Sequence, residues 1–220
     1  MPLRVVVMAS GEGSNVQALI DAIESREVSG LKIVALVSDV PGARAIARAT
    51  RHGIPSHILP FPEGARRGSE ARIRFDARLA SIVAAFRPDF VFMLGWMRLL
   101  GQGFLRQFHG KVINLHPALP GTFPGTRAIE RAFEAFGRGE IAVSGVMLHL
   151  VPDEGVDSGP VLKVAEIPLR HGESLDEFEA DVHAEEHRLV VEFARELGRN
   201  GGLPAPRTDA SQQVSLEKEC

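Results

Sequence analysis

The sequence predicts an α/β fold: a mostly parallel open sheet with helices on both faces, completed by a carboxyl-terminal strand pair and a long final helix. Three observations carry this. Short apolar runs alternate with longer helical segments from Val5 to Phe136, the rhythm of βαβ units. After Phe136 that rhythm gives way to two strand-like runs and one long amphipathic segment. The chemically unusual segments each follow an apolar run, where open parallel sheets gather their ligands.

Taken in order, Val5–Met8 leads into a helix over Asn15–Arg26, and Lys32–Val37 into Ala43–His52. Ser56–Leu59 precedes the charged segment Arg66–Phe86. Phe90–Leu94 precedes a Gly-rich loop with a short helical turn, and Val112–Leu115 leads to Arg127–Phe136. Ile141–Val151 and Val161–Leu169, joined by the acidic stretch Pro152–Pro160, read as a partly antiparallel pair at the sheet edge. The last helix runs from about Ser174 to Gly198, with Ser174 and Glu177 as a capping box. One domain is expected over 1–200 and a polar, mobile tail over 201–220.

Composition narrows the function classes. With 220 residues and 45% hydrophobic content the chain can close one core. Its 25 basic and 28 acidic side chains make no basic field, so nucleic acid is not an expected partner. The apolar start Met1–Met8 is too short for a signal core or a span, so neither export nor a membrane is expected. The single cysteine, Cys220, excludes a disulfide framework.

Four segments carry candidate chemistry. Ser10-Gly11-Glu12-Gly13-Ser14-Asn15 joins the first strand to the first helix. Glycines and free N–H groups there suit a small phosphate ester; the plainer alternative is a tight turn capped by Ser14 or Asn15. In Val112–Pro117, alternation puts Asn114 and His116 on one strand face, at the edge marked by Pro117. An amide there can meet an oxyanion, and an imidazole can move a proton. The loop Pro152–Pro160 holds three carboxylates whose spacing is not that of a calcium loop; one of them could orient a histidine. His183-Ala184-Glu185-Glu186-His187 matches a zinc-protease string, but too little chain follows to supply the further ligand. Glu186 interrupts the apolar stripe Phe178, Val182, Leu189, Val190, Phe193, Leu197, so it meets either a ligand or a buried partner charge.

Together these segments resemble the phosphoribosylglycinamide formyltransferases, folate-dependent enzymes of purine synthesis. The resemblance spans roughly residues 3–200 and rests on Ala9–Asn15, Asp89–Leu100 with Gly95-Trp96-Met97-Arg98, Asn114–Pro117, His149 and Asp153–Gly159. It implies a Rossmann-like domain that takes a formyl group from 10-formyltetrahydrofolate to the amine of phosphoribosylglycinamide, in the cytoplasm and with no metal. By position, Gly13, Ser14, Asn15 and Val16 would hold the acceptor's phosphate, and Glu186 its glycinamide end. Asn114, His116 and Asp157 match the catalytic trio. Arg72, Met97, Arg98, Leu99, Leu100, Asn114, Pro152, Asp153, Glu154, Gly155 and Val156 would line the folate site. The expected partners are these two small molecules, and a homodimer is left open.

On this resemblance the amine attacks the formyl carbon. Asn114 and a protonated His116 steady the oxyanion, while Asp157 favours the imidazolium. Two departures stand out: Ala118-Leu119-Pro120-Gly121 replaces a more usual Leu-Leu-Pro, and Glu12 brings a negative charge to the proposed phosphate turn. Formyltetrahydrofolate deformylase and methionyl-tRNA formyltransferase are rivals within the fold. Each usually carries an extra domain for which this sequence has no room. A non-catalytic nucleotide- or folate-binding module would keep the glycine turn but would not need Asn114, His116 and Asp157 together.

Overall fold

A computed structural model describes residues 1–204, so most of the tail expected at 201–220 lies outside the described residues. Seven strands form one sheet in the order β3-β2-β1-β4-β5-β6-β7. The parallel part is β1 (Leu3–Met8), β2 (Leu31–Ser38), β3 (Ser56–Ile58), β4 (Phe90–Met93) and β5 (Val112–His116). The strands β6 (Val143–Leu150) and β7 (Val161–Pro168) add to β5 antiparallel, as the sequence pattern predicts.

Central strands rich in Val, Ile and Phe are covered on both faces. In β1, Val5 and Val7 enter one apolar cluster and Val6 and Met8 the other, as a period of two requires. The first cluster packs under α1 (Ser14–Glu24), α2 (Arg44–Arg51), α5 (Ala128–Gly137) and α6 (Leu175–Asn200). The second packs under α3 (Glu70–Ala85) and α4 (Gln102–Gln107).

Helix ends follow local chemistry. α6 opens on the predicted capping box: Ser174 Oγ accepts from the Glu177 N–H at 3.3 Å, and Glu177 Oε2 accepts from the Ser174 N–H at 2.8 Å. The helix then buries the whole predicted apolar stripe. Fully burying one such side chain contributes about 1.5–3 kcal/mol, and Phe193→Ala would cost about 3–5 kcal/mol. The charged segment Arg66–Phe86 is helical only from Glu70, because Gly68 takes a φ of 79° and Ser69 caps the helix through the Arg72 N–H. The plainer alternative, a cap at Ser14 or Asn15, is not what forms. Gly13, at φ 73°, is the N-cap of α1 and supplies no side-chain bond.

That glycine cannot be replaced cheaply. A Cβ there would lie 2.6 Å from Ala45 Cβ, and the Ala45 N–H donates to the Gly11 carbonyl. The turn after β1 is thus pressed against α2, with its own first-turn N–H groups uncapped. Among the described residues no helix is long and apolar enough to cross a membrane.

Candidate active site

The chain crosses from the β2–β3 side of β1 to β4, so strand order reverses between β1 and β4. Ligand clefts open at such switch points, beyond the carboxyl ends of the strands. A cavity of about 580 Å³ lies here, walled by the turns after β1, β4 and β5, the β6–β7 loop and one face of α6.

Loop bracing begins with Asp39, just past β2 and almost wholly buried. It accepts from Ser10 Oγ at 2.5 Å and from Arg98 Nε at 2.7 Å, while Ser10 Oγ accepts from the Met97 N–H at 2.9 Å. One carboxylate thereby ties the β1 turn to the β4 loop. Sequence reading missed Asp39; the available signal was an acid at the carboxyl end of an apolar strand. Arg98 also stacks over the Phe61 ring at 4.5 Å, so its guanidinium is committed although it lines the cavity.

At the start of α1, Gly13, Ser14 and Asn15 line the cavity. Val16 does not: its side chain is fully buried in the core, because the third residue of an amphipathic helix faces the sheet here. The charge of Glu12 is offset. Its carboxylate accepts from Arg44 at 3.0 Å and Arg48 at 2.7 Å, and Arg48 Nε also donates to the Glu12 carbonyl at 2.9 Å.

Glu186 lines the same end and is 6% exposed. Asn15 Nδ2 donates to its Oε2 at 3.1 Å, and His183 Nδ1 lies 2.9 Å from the same oxygen. That hydrogen bond raises the His183 pKa against an opposing desolvation effect. Glu186 thus faces the cavity, where a ligand would meet it, and is paired with a half-exposed His183 rather than with a buried charge.

The trio converges. Asn114 and His116 project from one face of β5, and Asp157 reaches them from the β6–β7 loop with a left-handed φ of 50°. Asp157 accepts from Asn114 Nδ2 at 3.0 Å and from the Gly125 N–H at 2.8 Å. His116 Nδ1 stands 3.3 Å from Asp157 Oδ2, and His149 Nε2 3.4 Å from Oδ1. Burial pushes the Asp157 pKa up, but its contacts with the His149 ring, the Gly125 N–H and the His116 ring together bring it below the usual value. Such a backbone outlier at the carboxylate is the kind of strain that functional sites retain.

His116 departs from expectation. Burial lowers its pKa by more than the Asp157 charge and the Phe123 carbonyl raise it, so the resting ring is neutral rather than the expected imidazolium. Its Nε2 lies 3.2 Å from the Phe123 carbonyl. A neutral ring has one proton for two acceptors, Phe123 O and Asp157 Oδ2; taking up a second proton satisfies both.

Of the residues assigned to a folate site, Met97, Arg98, Leu99, Leu100, Asn114, Asp153, Glu154, Gly155 and Val156 line the cavity. Arg72 and Pro152 do not. Arg72 is spent on Asp76, one helical turn on at 2.9 Å, and on the Leu99 carbonyl, so it braces the β4 loop from outside. Pro152 only opens the acidic loop, which is pinned where Glu154 accepts from Arg67 at 2.6 Å and from the Gln102 N–H at 3.0 Å. The Ala118–Gly121 departure leaves a closed turn, with the Thr122 N–H donating to the Leu119 carbonyl. Among the described residues no group of three or more His, Cys, Asp or Glu is arranged to hold a metal ion.

Comparison with known proteins agrees with this geometry. The family model described as formyl transferase matches residues 3–194. The phosphoribosylglycinamide formyltransferase of Dictyostelium discoideum is 36% identical over 90% of this chain and 98% of its own length. That of Schizosaccharomyces pombe is 37% identical over the same shares. The solved structure of glycinamide ribonucleotide transformylase 1 from Geobacillus kaustophilus superposes with a TM-score of 0.79 at 32% identity, covering 90% of this chain and 99% of the other. A switch-point cleft, a trio at its centre and likeness along nearly the whole chain lead to one statement: the chain belongs to the formyl transferase family and is a transferase enzyme.

Proposed function

We propose that the protein transfers the formyl group of 10-formyltetrahydrofolate to the amine of phosphoribosylglycinamide, a step of purine synthesis. One observation carries this reading: Asn114, His116 and Asp157 meet within hydrogen-bonding distance in a cavity whose far end is the uncapped start of α1. That end offers unpaired N–H groups for a phosphate, and Glu186 stands beside it for the glycinamide end of the acceptor. Met97–Leu100 and Asp153–Val156 wall the opposite side, where the formyl donor fits between apolar side chains such as Leu94, Leu100 and Val151. The reading carries one formyltransferase domain over 1–200, small-molecule partners and a cytoplasmic location.

In the reaction, the amine nitrogen bonds to the formyl carbon and the carbonyl oxygen takes up negative charge. Asn114 donates to that oxygen, an interaction whose loss typically costs about 2.7–4 kcal/mol of barrier lowering. The neutral, buried His116 receives the proton the amine sheds, and Asp157 holds the resulting cation. The bond from the formyl carbon to the folate nitrogen then breaks, and the proton passes to that nitrogen.

An assay of the purified protein with 10-formyltetrahydrofolate tests this directly. Formylated glycinamide ribonucleotide is the expected product. Formate released at the same rate without the acceptor would instead make the protein a deformylase, and formylation of methionyl-tRNA in its place would move it to the third branch. No turnover with any acceptor would leave a binding module.

A further inference from the structure

His149 sits on β6, 2% exposed, and the chemistry above makes no use of it. Its Nδ1 lies 2.8 Å from the Leu150 carbonyl, which can only accept, so Nδ1 carries the ring proton. Nε2 is left with a lone pair; Asn114 Nδ2 lies 3.1 Å from it and Asp157 Oδ1 3.4 Å, and the amide N–H between them is what the lone pair accepts. The same Nδ2 donates to Asp157 Oδ1 at 3.0 Å. Both amide hydrogens of Asn114 are thereby directed, one by a carboxylate and one by an imidazole nitrogen. A flipped amide would set its oxygen against a carboxylate and a lone pair, two repulsions in one place.

The geometry points to His149 as a positioning residue that acts through Asn114. It holds the second amide N–H in the corner beside His116 until the formyl oxygen becomes charged. The bond to neutral imidazole is weaker than one to an anion. Exchanging one for the other therefore gains free energy only in the transition state, which raises kcat rather than substrate affinity. A histidine that merely filled the strand could be replaced by leucine without kinetic effect. The inference rests on the catalytic reading of Asn114 given above.

A double-variant cycle with Asn114→Ala and His149→Leu tests it, alongside His149→Gln, whose side-chain oxygen can replace Nε2 as acceptor. His149→Leu is expected to lower kcat about tenfold with both KM values within about twofold. The same change in the Asn114→Ala background should cost less than about twofold, and His149→Gln should recover most of the loss. Equal losses in both backgrounds, or no loss in the parent, overturn the inference alone. Wild-type turnover in Asn114→Ala overturns the reading of Asn114 and the inference with it. Should His149→Leu fold poorly, the parent protein still decides: nitrogen NMR is expected to show His149 protonated at Nδ1 and bare at Nε2, and a protonated Nε2 with a bare Nδ1 refutes the arrangement.

Discussion

Asn15 and Glu186 stand 171 positions apart in sequence and share a hydrogen bond of 3.1 Å, which locks the first turn of α1 to the middle of α6. The bond joins two buried side chains at the wall of the cavity. It makes this end of the cavity a joint between α1 and α6.

Glu186→Gln separates binding from folding at that joint. Glutamine can still accept from Asn15 but no longer pairs with a protonated His183. Acceptor KM is expected to rise about tenfold with donor KM unchanged, a loss of binding common to ground and transition states. Because the Glu186 bond is the main reason the His183 pKa is raised, that pKa should fall in the variant. Steady-state kinetics, proton NMR and a melting curve read the three effects. Lost stability with unaltered acceptor KM would make Glu186 purely structural.

Asp157→Asn should lower turnover by about a hundredfold or more. Removing the anion also removes a contribution that raises the His116 pKa, so the pKa should fall further, as followed by NMR titration. The sign for stability is the same for the two groups, since both pKa values are lowered in the folded protein. His116, held below its usual value near 6.5, favours the folded state less as pH falls through that value. Asp157, also lowered, stabilises above about pH 3.9 and loses this as pH falls through its folded pKa. An unchanged His116 pKa in Asp157→Asn would remove the proposed electrostatic role.

Gly13→Ala tests the pressed turn. A methyl group there meets Ala45 at 2.6 Å and must be held at a φ of 73°. Overpacking of this kind costs about 1–3 kcal/mol, and the left-handed backbone about 1–2 kcal/mol more. Thermal melting should fall by several degrees, and acceptor affinity should drop as the turn shifts. A melting point within a degree of the parent would show that α2 moves aside freely.

Arg48→Ala should expose the charge of Glu12 to the acceptor's phosphate. Arg48 is the better buried of the two arginines on that carboxylate. Acceptor KM is expected to rise about threefold at low salt, in keeping with the worth of partly exposed pairs, and the difference should shrink at high salt. Adding Glu12→Gln should restore affinity. Failure of that rescue would mean Arg48 acts through its bond to the Glu12 carbonyl instead.

Much of this was legible in the sequence because alternation is a strong signal. The runs at Val5–Met8 and Val112–Leu115 gave both strands and faces, and Asn114 and His116 do share a side. The capping box of α6 and the isolated acid Glu186 were equally plain. Other features depend on distance in space. Neutral His116 follows from burial, which no local pattern reports, and Arg72 was diverted by Asp76, a neighbour only once the helix forms. Val16 could have been placed in the core from its position in the helical stripe. His149 left a trace too, as a lone polar residue within the apolar run Val146–Val151.

α6 is the last described element to leave the ribosome, yet its 26 residues roof the sheet face begun by β1, the first. Phe178, Val182, Leu189 and Phe193 cover Val5, Val7 and Leu19 only after nearly the whole chain has been made. A nascent chain halted before Leu175 therefore leaves that apolar sheet face uncovered, a surface open to aggregation. With Glu186 still unmade, such a growing polypeptide would carry the turn proposed for the acceptor's phosphate and the Asn114, His116 and Asp157 trio, but not the carboxylate proposed for its glycinamide end.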